Sequence, residues 1–497
     1  MAKIKIVFLF QAGSFWPSWE ALYDVLRKDE RFEVKILWIR WQEGKPGDRA
    51  QMQYAEKFLI EKNLPYEEFS YEYVVHYKPE YLVFQLPYES WHREHEAWSI
   101  RFKWLGIKVI YIPYGIEISD TKESRYMHFS FSTVLNADYI FTLADGIKEE
   151  YEKYCANYQA VYATGLPRFD SLQREFPLAQ NVLQKREGRK ILLWKVHFPK
   201  SFVENGVKKQ VTPDLREYLK FVEWIEHNHN LFFIFMPHPK FADEDVEPEQ
   251  RTYAREIVTR LSRIQHVHID MEEDYRNSLV NADAVISDRS SVMIEAGYKG
   301  IPVMYMYNRE YEEPMTKTCQ TILDSYYQGT TVQDMIKFCE NVEQGIDSRR
   351  SERINIYQHT LNRCDGNCSE RIKNILVADA GNPGKNIRKM PQRNSKVIIF
   401  GTGKLGEKCM QYNEKKDVPF FQVLCSVDNN SQKKGTDFHG TKVICPSDIS
   451  QWDYDYVVIA SDRYYKEIYL QLRNEIGIPK ENIMNFDEFI IATMYGV

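Results

Sequence analysis

Short apolar runs recur along this chain, each suited to a strand and each followed by a turn and a helical stretch. Ile4 to Phe10, Phe32 to Trp38, Tyr81 to Gln85, Lys108 to Ile112, Tyr139 to Leu143 and Val161 to Thr164 form one set. Lys190 to Trp194, Leu231 to Phe235, Val267 to Ile269, Ala284 to Ile286 and Val303 to Tyr307 form a second. The runs opening at Val397, Val423, Val443 and Tyr456 form a third. Strands that are apolar on both faces belong in parallel sheets covered by helices. The alternation predicts an α/β chain: two doubly wound Rossmann-like units in tandem and a third, smaller one. At 497 residues the chain exceeds a single ordinary core. Polar stretches place the units at 1–180, 181–378 and 396–497, with a Gly-, Asn-, Pro- and Lys-rich linker at 379–395. Residues 310 to 375 read as mixed helix closing the second unit.

Bulk properties narrow the function. A formal net charge of -6 argues against a dedicated nucleic-acid binder. Aromatic residues make up 14% of the chain, which suits both cores and ligand pockets. The eight cysteines are scattered and contain no CxxC pair, so no disulfide scaffold is expected. Cys364, Cys368 and His359 lie close in sequence but lack a fourth metal ligand. The first apolar run ends at Gln11 and Gly13, too early for a signal peptide, and a cytoplasmic location follows as the default.

Polar motifs sit where strands end, the edge at which α/β sheets bind ligands. The richest follows Ala284 to Ile286: Ser287-Asp288-Arg289-Ser290-Ser291, then a helix to Lys299, Gly300 and Pro302. A helix opening at two serines offers free N–H groups, hydroxyls and a positive dipole end to an anion, or is simply capped by them. Lys195 and His197 follow the Lys190 strand, and His238 stands between Pro237 and Pro239 after the Leu231 strand. Prolines on both sides restrict the backbone there and favour a positioned histidine. In the first unit, Tyr114-Gly115 ends the Lys108 strand, and Gly165-Leu-Pro-Arg168-Phe-Asp170 follows the Val161 strand. Gly115 permits close backbone approach or serves as a turn residue; Arg168 holds a phosphate or pairs with Asp170. Glu89 to Trp104 reads as one helix with His92, Arg93, His95 and Arg101 on a solvated or cleft-lining face. The third unit opens Gly401-x-Gly403-x-x-Gly406 between strand and helix, with Asp428 ending the next strand. That pattern suits NAD or another nucleotide, or a nucleotide fold kept for packing or regulation.

Taken in order, Gly165-x-Pro-Arg-x-Asp170, Lys195 to His197, His238-Pro239 and Asp288-x-Ser-Ser291 with Pro302 resemble the CDP-glycerol glycerophosphotransferase family. These enzymes build teichoic-acid-type and capsular polymers on a GT-B fold, and the third unit resembles the Rossmann-like domain appended to surface-polysaccharide enzymes. The resemblance implies a GT-B-like pair of domains that moves glycerol phosphate, or a related alditol phosphate, from a CDP-activated donor. The acceptor would be a glycan or lipid-linked teichoic-acid-like polymer, CMP would leave, and the protein would work at the inner face of the cytoplasmic membrane. It places Ser290, Ser291 and His238 at the donor phosphates, with Asp288, Arg289, Lys195 and Arg168 near them, and Gly115, Gly165 and Asp170 on the cleft wall. His238, His197 and Tyr114 are the candidates for catalysis, with no metal or cofactor required. Three departures stand out: Tyr114 where the family has histidine, Arg289 where it has tyrosine, and Lys195-Val-His197-Phe where it has Pro-Thr-x-Arg. Two other readings use the same residues. One is a GT-B glycosyltransferase with a nucleotide-sugar donor; the other is a non-catalytic nucleotide-binding or scaffold protein of polysaccharide assembly.

Overall fold

The computed structural model describes residues 2–41, 48–204, 207–311, 313–415 and 418–496. The six apolar runs of the first set, joined by Glu67–Glu68 at one edge, pair in parallel into a seven-stranded sheet. Its order is Glu67–Glu68, Phe32–Trp38, Ile4–Phe10, Tyr81–Phe84, Lys108–Tyr111, Tyr139–Thr142 and Val161–Ala163. The second sheet has six parallel strands: Val267–Ile269, Leu231–Pro237, Lys190–Val196, Ala284–Ser287, Val303–Met306 and Tyr327–Gly329. In both sheets the first strand lies beside the second and the fourth, so the strand order reverses there, and ligands gather outside the carboxyl ends at such a point. The strands are as apolar as they are because helices cover both faces: Ile6, Val7, Phe8, Tyr81 to Phe84 and Phe232 are fully buried.

The third sheet orders Asp437–Phe438, Thr441–Ile444, Gln422–Val427, Lys396–Phe400, Tyr456–Ile459 and Ile483–Asn485, with only its edge hairpin antiparallel. Leu135 and Trp104 of the first unit reach into its hydrophobic core, so the third unit is docked rather than tethered. The 379–395 segment is irregular but held. Asn386 is 2% exposed, its N–H donates to Asp138 Oδ1 at 2.9 Å, and its amide donates to Leu135 O at 2.8 Å. Its composition signals turns, and turns with buried polar groups still need partners.

Other departures have local causes. The stretch expected as one helix breaks into Glu89–His92, a turn at His95–Ala97 and Ser99–Trp104. The first break falls at Arg93, which is 1% exposed, donates to Leu86 O and lies 4.8 Å over Phe84, so it is a core residue and not part of a solvated face. The last helix before the third unit, Cys368–Asp379, returns to the first unit, where Tyr81 Oη and Lys108 Nζ donate to Asp379 at 2.8 and 2.7 Å. Among the described residues no helix is long and apolar enough to cross a membrane.

Candidate active site

Three neighbouring strands of the second sheet end in one row. The register sets Val196 opposite Pro237 and Lys195 opposite Ser287. The loops that follow bring Lys195, His197, His238 and Asp288 to Ser291 to one edge, facing the first unit. Asp288 clamps this edge from inside. It is 1% exposed, and its Oδ1 accepts the N–H of His197 at 2.8 Å and of Arg289 at 2.7 Å. Tyr218 Oη donates to its Oδ2 at 3.3 Å. Burial pushes the Asp288 carboxyl up to about 6, against the pull of these donors and Lys195. Asp288 therefore shapes the site and does not face a phosphate.

The two imidazoles stand 5.0 Å apart between ring centres, and backbone groups set their tautomers. His238 Nδ1 accepts the Lys240 N–H at 3.0 Å, which places the proton of the neutral ring on Nε2. His197 Nδ1 lies 2.9 Å from Phe198 O and must donate, which leaves an unprotonated Nε2. One ring thus presents a donor and the other an acceptor. Burial at the cleft floor, with the Lys195 and Lys240 charges, lowers His238 to about 3; burial and His238 hold His197 well below the usual histidine range. Burial also brings Lys195 down to about 8, partly offset by Asp288 and Asp270.

The serine turn divides its labour. Ser290 Oγ accepts the Val292 N–H at 3.3 Å and caps the helix Val292–Tyr298. Ser291, at the cap position itself, makes no side-chain cap bond and keeps its hydroxyl for the cleft. Arg289 is already paired: its Nη2 lies 2.6 Å from Glu313 Oε1, which also accepts Ser119 Oγ of the first unit at 2.7 Å. Its charge is therefore largely neutralised before any ligand arrives, and Lys195 is the cation of the row without a carboxylate in contact among the described residues.

The first unit supplies the opposite wall. Arg168 does not pair with Asp170. Its Nη1 lies 2.8 Å from Glu295 Oε1, its Nη2 donates to Tyr114 O, and it is 3% exposed. Glu295 Oε2 accepts Tyr275 Oη at 2.7 Å. This buried pair ties the helix after the serine turn to the Tyr114 turn, so Arg168 is a positioning residue and not a phosphate ligand. Asp170 is engaged elsewhere: it accepts the N–H groups of Cys368 and Ser369 at 3.1 and 2.7 Å, capping the returning helix. Gly165, at φ +73°, packs against Arg363 O and Cys368 at the same junction. A side chain at Gly115 would meet nothing within 4 Å, so that glycine leaves open space at the wall. Tyr114 Oη reaches Tyr88 Oη at 3.1 Å. Behind it, burial raises Glu117 to about 7, and Tyr151 Oη donates to it at 2.8 Å.

Glu295 and Glu313 escaped the sequence reading. A carboxylate inside Val-Met-Ile-Glu-Ala, an otherwise apolar helix, was the available sign of a buried cation partner. Glu313 had no such sign. The third-unit motif is largely internal. Gly401 adopts φ +120° and an added Cβ would lie 2.7 Å from Ala460 O; Gly406 sits against Gly401 O. Asp428 accepts Thr402 Oγ1, Lys433 Nζ at 2.8 Å and the Asn430 N–H at 2.9 Å. A ribose at Asp428 would compete with these partners, while Gly403 leaves open space where a ligand could approach the backbone. Cys364 and Cys368 donate to Leu143 O and Arg363 O, and among the described residues no three His, Cys, Asp or Glu groups cluster to hold a metal.

Two parallel sheets facing each other across a cleft, with polar loops at the carboxyl edge of the second, define the GT-B class of transferase fold. The chain belongs to the CDP-glycerol:poly(glycerophosphate) glycerophosphotransferase family, which matches residues 5–378. It is a transferase of that type, for which the donor is CDP-activated. Residues 393–484 match the C2185-like N-terminal family. Among solved structures, Staphylococcus aureus MnaA with UDP has a TM-score of 0.51 at 14% identity, covering 76% of this chain and 96% of that one. The UDP-GlcNAc 2-epimerase of Neisseria meningitidis bound to UDP-GlcNAc gives 0.51 at 14%, covering 75% and 100%. The wall teichoic acid polymerase TagF gives 0.50 at 14%, covering 76% and 89%. At such identities these likenesses speak for the fold alone. Comparison with curated proteins returned no match.

Proposed function

We propose that the protein transfers glycerol phosphate, or a related alditol phosphate, from its CDP-linked donor to a hydroxyl of a cell-surface glycan or teichoic-acid-like acceptor. The acceptor oxygen attacks the β-phosphorus, a new P–O bond forms, the anhydride P–O bond breaks and CMP leaves. The observation that carries this reading is the paired tautomers at the carboxyl edge. His238 Nε2–H donates to the phosphoryl oxygens as charge grows there, and His197 Nε2 takes the acceptor's proton. The Lys195 ammonium and the Ser291 hydroxyl hold the diphosphate, while Ser290 and Asp288 keep that loop in shape. Tyr114 and Gly115 face the acceptor side.

Incubation of the protein with CDP-glycerol and a lipid-linked glycerol phosphate primer should release CMP. The Ser290→Ala/Ser291→Ala double variant should lower that rate about a hundredfold or more while still folding. Unchanged turnover would remove the phosphate-site assignment. The tyrosine in place of the family's histidine favours a second reading, transfer of a sugar from a nucleotide sugar. Release of a nucleoside diphosphate in place of CMP would establish it.

A further inference from the structure

A cavity of about 380 Å³ lies outside the cleft, between the first and third units. That volume falls within the range of small-molecule sites, about 300–1,000 Å³. The third unit contributes residues at the carboxyl ends of its strands: Ser461 and Asp462 after Tyr456–Ile459, Asn485 as the last residue of Ile483–Asn485, and Asp487 just beyond it. Lys408 comes from the helix after the glycine turn. The first unit closes the cavity with Trp91, Phe131 and Ser132, among others.

Two polar groups point to a ligand. Asn485 is 3% exposed; its Oδ1 accepts the Glu488 N–H at 2.8 Å, but its Nδ2 has no partner. A buried donor left unpaired costs about 1–3 kcal/mol unless a ligand accepts from it. Asp487 accepts Ser132 Oγ at 2.5 Å, so the carboxylate joins both units at the cavity wall. Burial raises its carboxyl to about 6, with Glu89 adding to the effect.

The lining chooses the ligand class. Two carboxylates face one lysine, and burial lowers His95, so the wall repels phosphate and carboxylate groups. An alkylammonium ion has no acceptor for Asn485 Nδ2. An apolar molecule would bury Asp487 and Asn485 without relief. A neutral sugar ring satisfies the whole set: C–H faces on the aromatic wall, hydroxyls donating to Asp462 and Asp487, and oxygens accepting from Asn485 and Lys408. The aromatic wall also runs on into the cleft. Trp91 stacks on Tyr88 at 5.4 Å between centres, and Tyr88 Oη meets Tyr114 Oη.

We infer that this cavity binds one neutral, polyhydroxylated sugar unit between the first and third units; that the sugar belongs to the acceptor rests on the transferase reading above. The test uses the full chain. Methyl glycosides of glucose, galactose, N-acetylglucosamine and N-acetylmannosamine are titrated singly, by saturation-transfer NMR and calorimetry, with CDP and NAD as separate arms. At least one glycoside should bind. Asn485→Ser, which keeps an oxygen for the helix cap but removes the amide donor, and Ser461→Trp, which fills the cavity, should each weaken it about tenfold. CDP affinity should stay unchanged in both variants, which also shows that they fold. Failure of every glycoside to bind at millimolar concentration, glycoside binding untouched by either variant, or NAD binding that Asn485→Ser abolishes would overturn the proposal. Glycoside binding without CDP binding would uphold this cavity and defeat the donor assignment instead.

Discussion

The chain contains two strand–turn–helix openings rich in phosphate-site residues, Ser287 to Tyr298 and Phe400 to Glu414, and they differ in what their polar groups are doing. In the first, one acid is turned inward as a clamp. The hydroxyl of Ser291, the two imidazole Nε2 atoms and the Lys195 ammonium are left at the cleft. In the second, Gly401 and Gly406 are required by the backbone itself, and Asp428 is engaged by Thr402, Lys433 and Asn430. The helix of the first is tied across the cleft by Glu295 and Arg168. Among the described residues no ion pair ties the helix Lys404–Glu414 to the first unit. Groups already partnered within the fold must be released before they can hold a ligand, and the first opening keeps more of its groups unpartnered at the cleft than the second does.

The largest test of this contrast is Arg168→Met. Removing one partner of a fully buried pair leaves Glu295 uncompensated and should cost about 3–5 kcal/mol in denaturant unfolding, with loss of transfer. Arg168→Met/Glu295→Leu should recover much of that stability, but not activity. A double variant no more stable than the single one would show that the tie lies elsewhere. Next in size, Asp288→Ala removes an acceptor of three bonds and should cost about 2–3 kcal/mol and about a hundredfold in rate. Asp428→Ala breaks a part-exposed pair and should cost under about 1 kcal/mol, with transfer intact. Equal effects of the two on activity would erase the contrast between the two openings.

A smaller effect concerns pH. Lys195 loses its charge as pH rises through about 8 in the free protein, so CDP-glycerol affinity should decline above that pH. Lys195→Arg should remove the decline, because guanidinium stays charged. His238 sits near 3, so its ring should contribute no acid limb around the ordinary histidine value. A limb near 6.5 that disappears in His238→Gln would refute the neutral-ring assignment. A last contrast is between glycines. Gly401→Ala should cost about 1–3 kcal/mol, as its φ of +120° and close carbonyl demand. Gly403→Ala should change thermal stability by under about 0.5 kcal/mol.

Much of the fold was legible because buried parallel strands are written as uninterrupted apolar runs. The strands that escaped include Glu67–Glu68, Tyr327–Gly329, Asp437–Phe438 and Ile483–Asn485, two or three residues long and too short to show a pattern, and the hairpin Ser201–Glu204 with Val207–Gln210, which carries no apolar run. The row of Lys195, His197, His238 and the serine turn could be anticipated, since all stand at strand ends and strand order makes those ends neighbours. Arg168 could not be resolved from sequence. Its partner lies 127 positions away, and local spacing offered only Asp170. Arg93 failed for the opposite reason: charge suggested solvent, but a carbonyl and the face of Phe84 receive it in the core.

The junction at Gly165 and Asp170 has a mechanical consequence. The chain leaves the first unit there and comes back through Arg363 to Ser369, and the two passages touch, since Asp170 holds the start of the returning helix. Two adjacent crossings held by hydrogen bonds restrain the second unit against twisting more than a single crossing would. Any displacement of the second unit must keep both passages together at this junction, and one that widens the cleft beside Tyr114 works against the buried Arg168–Glu295 pair.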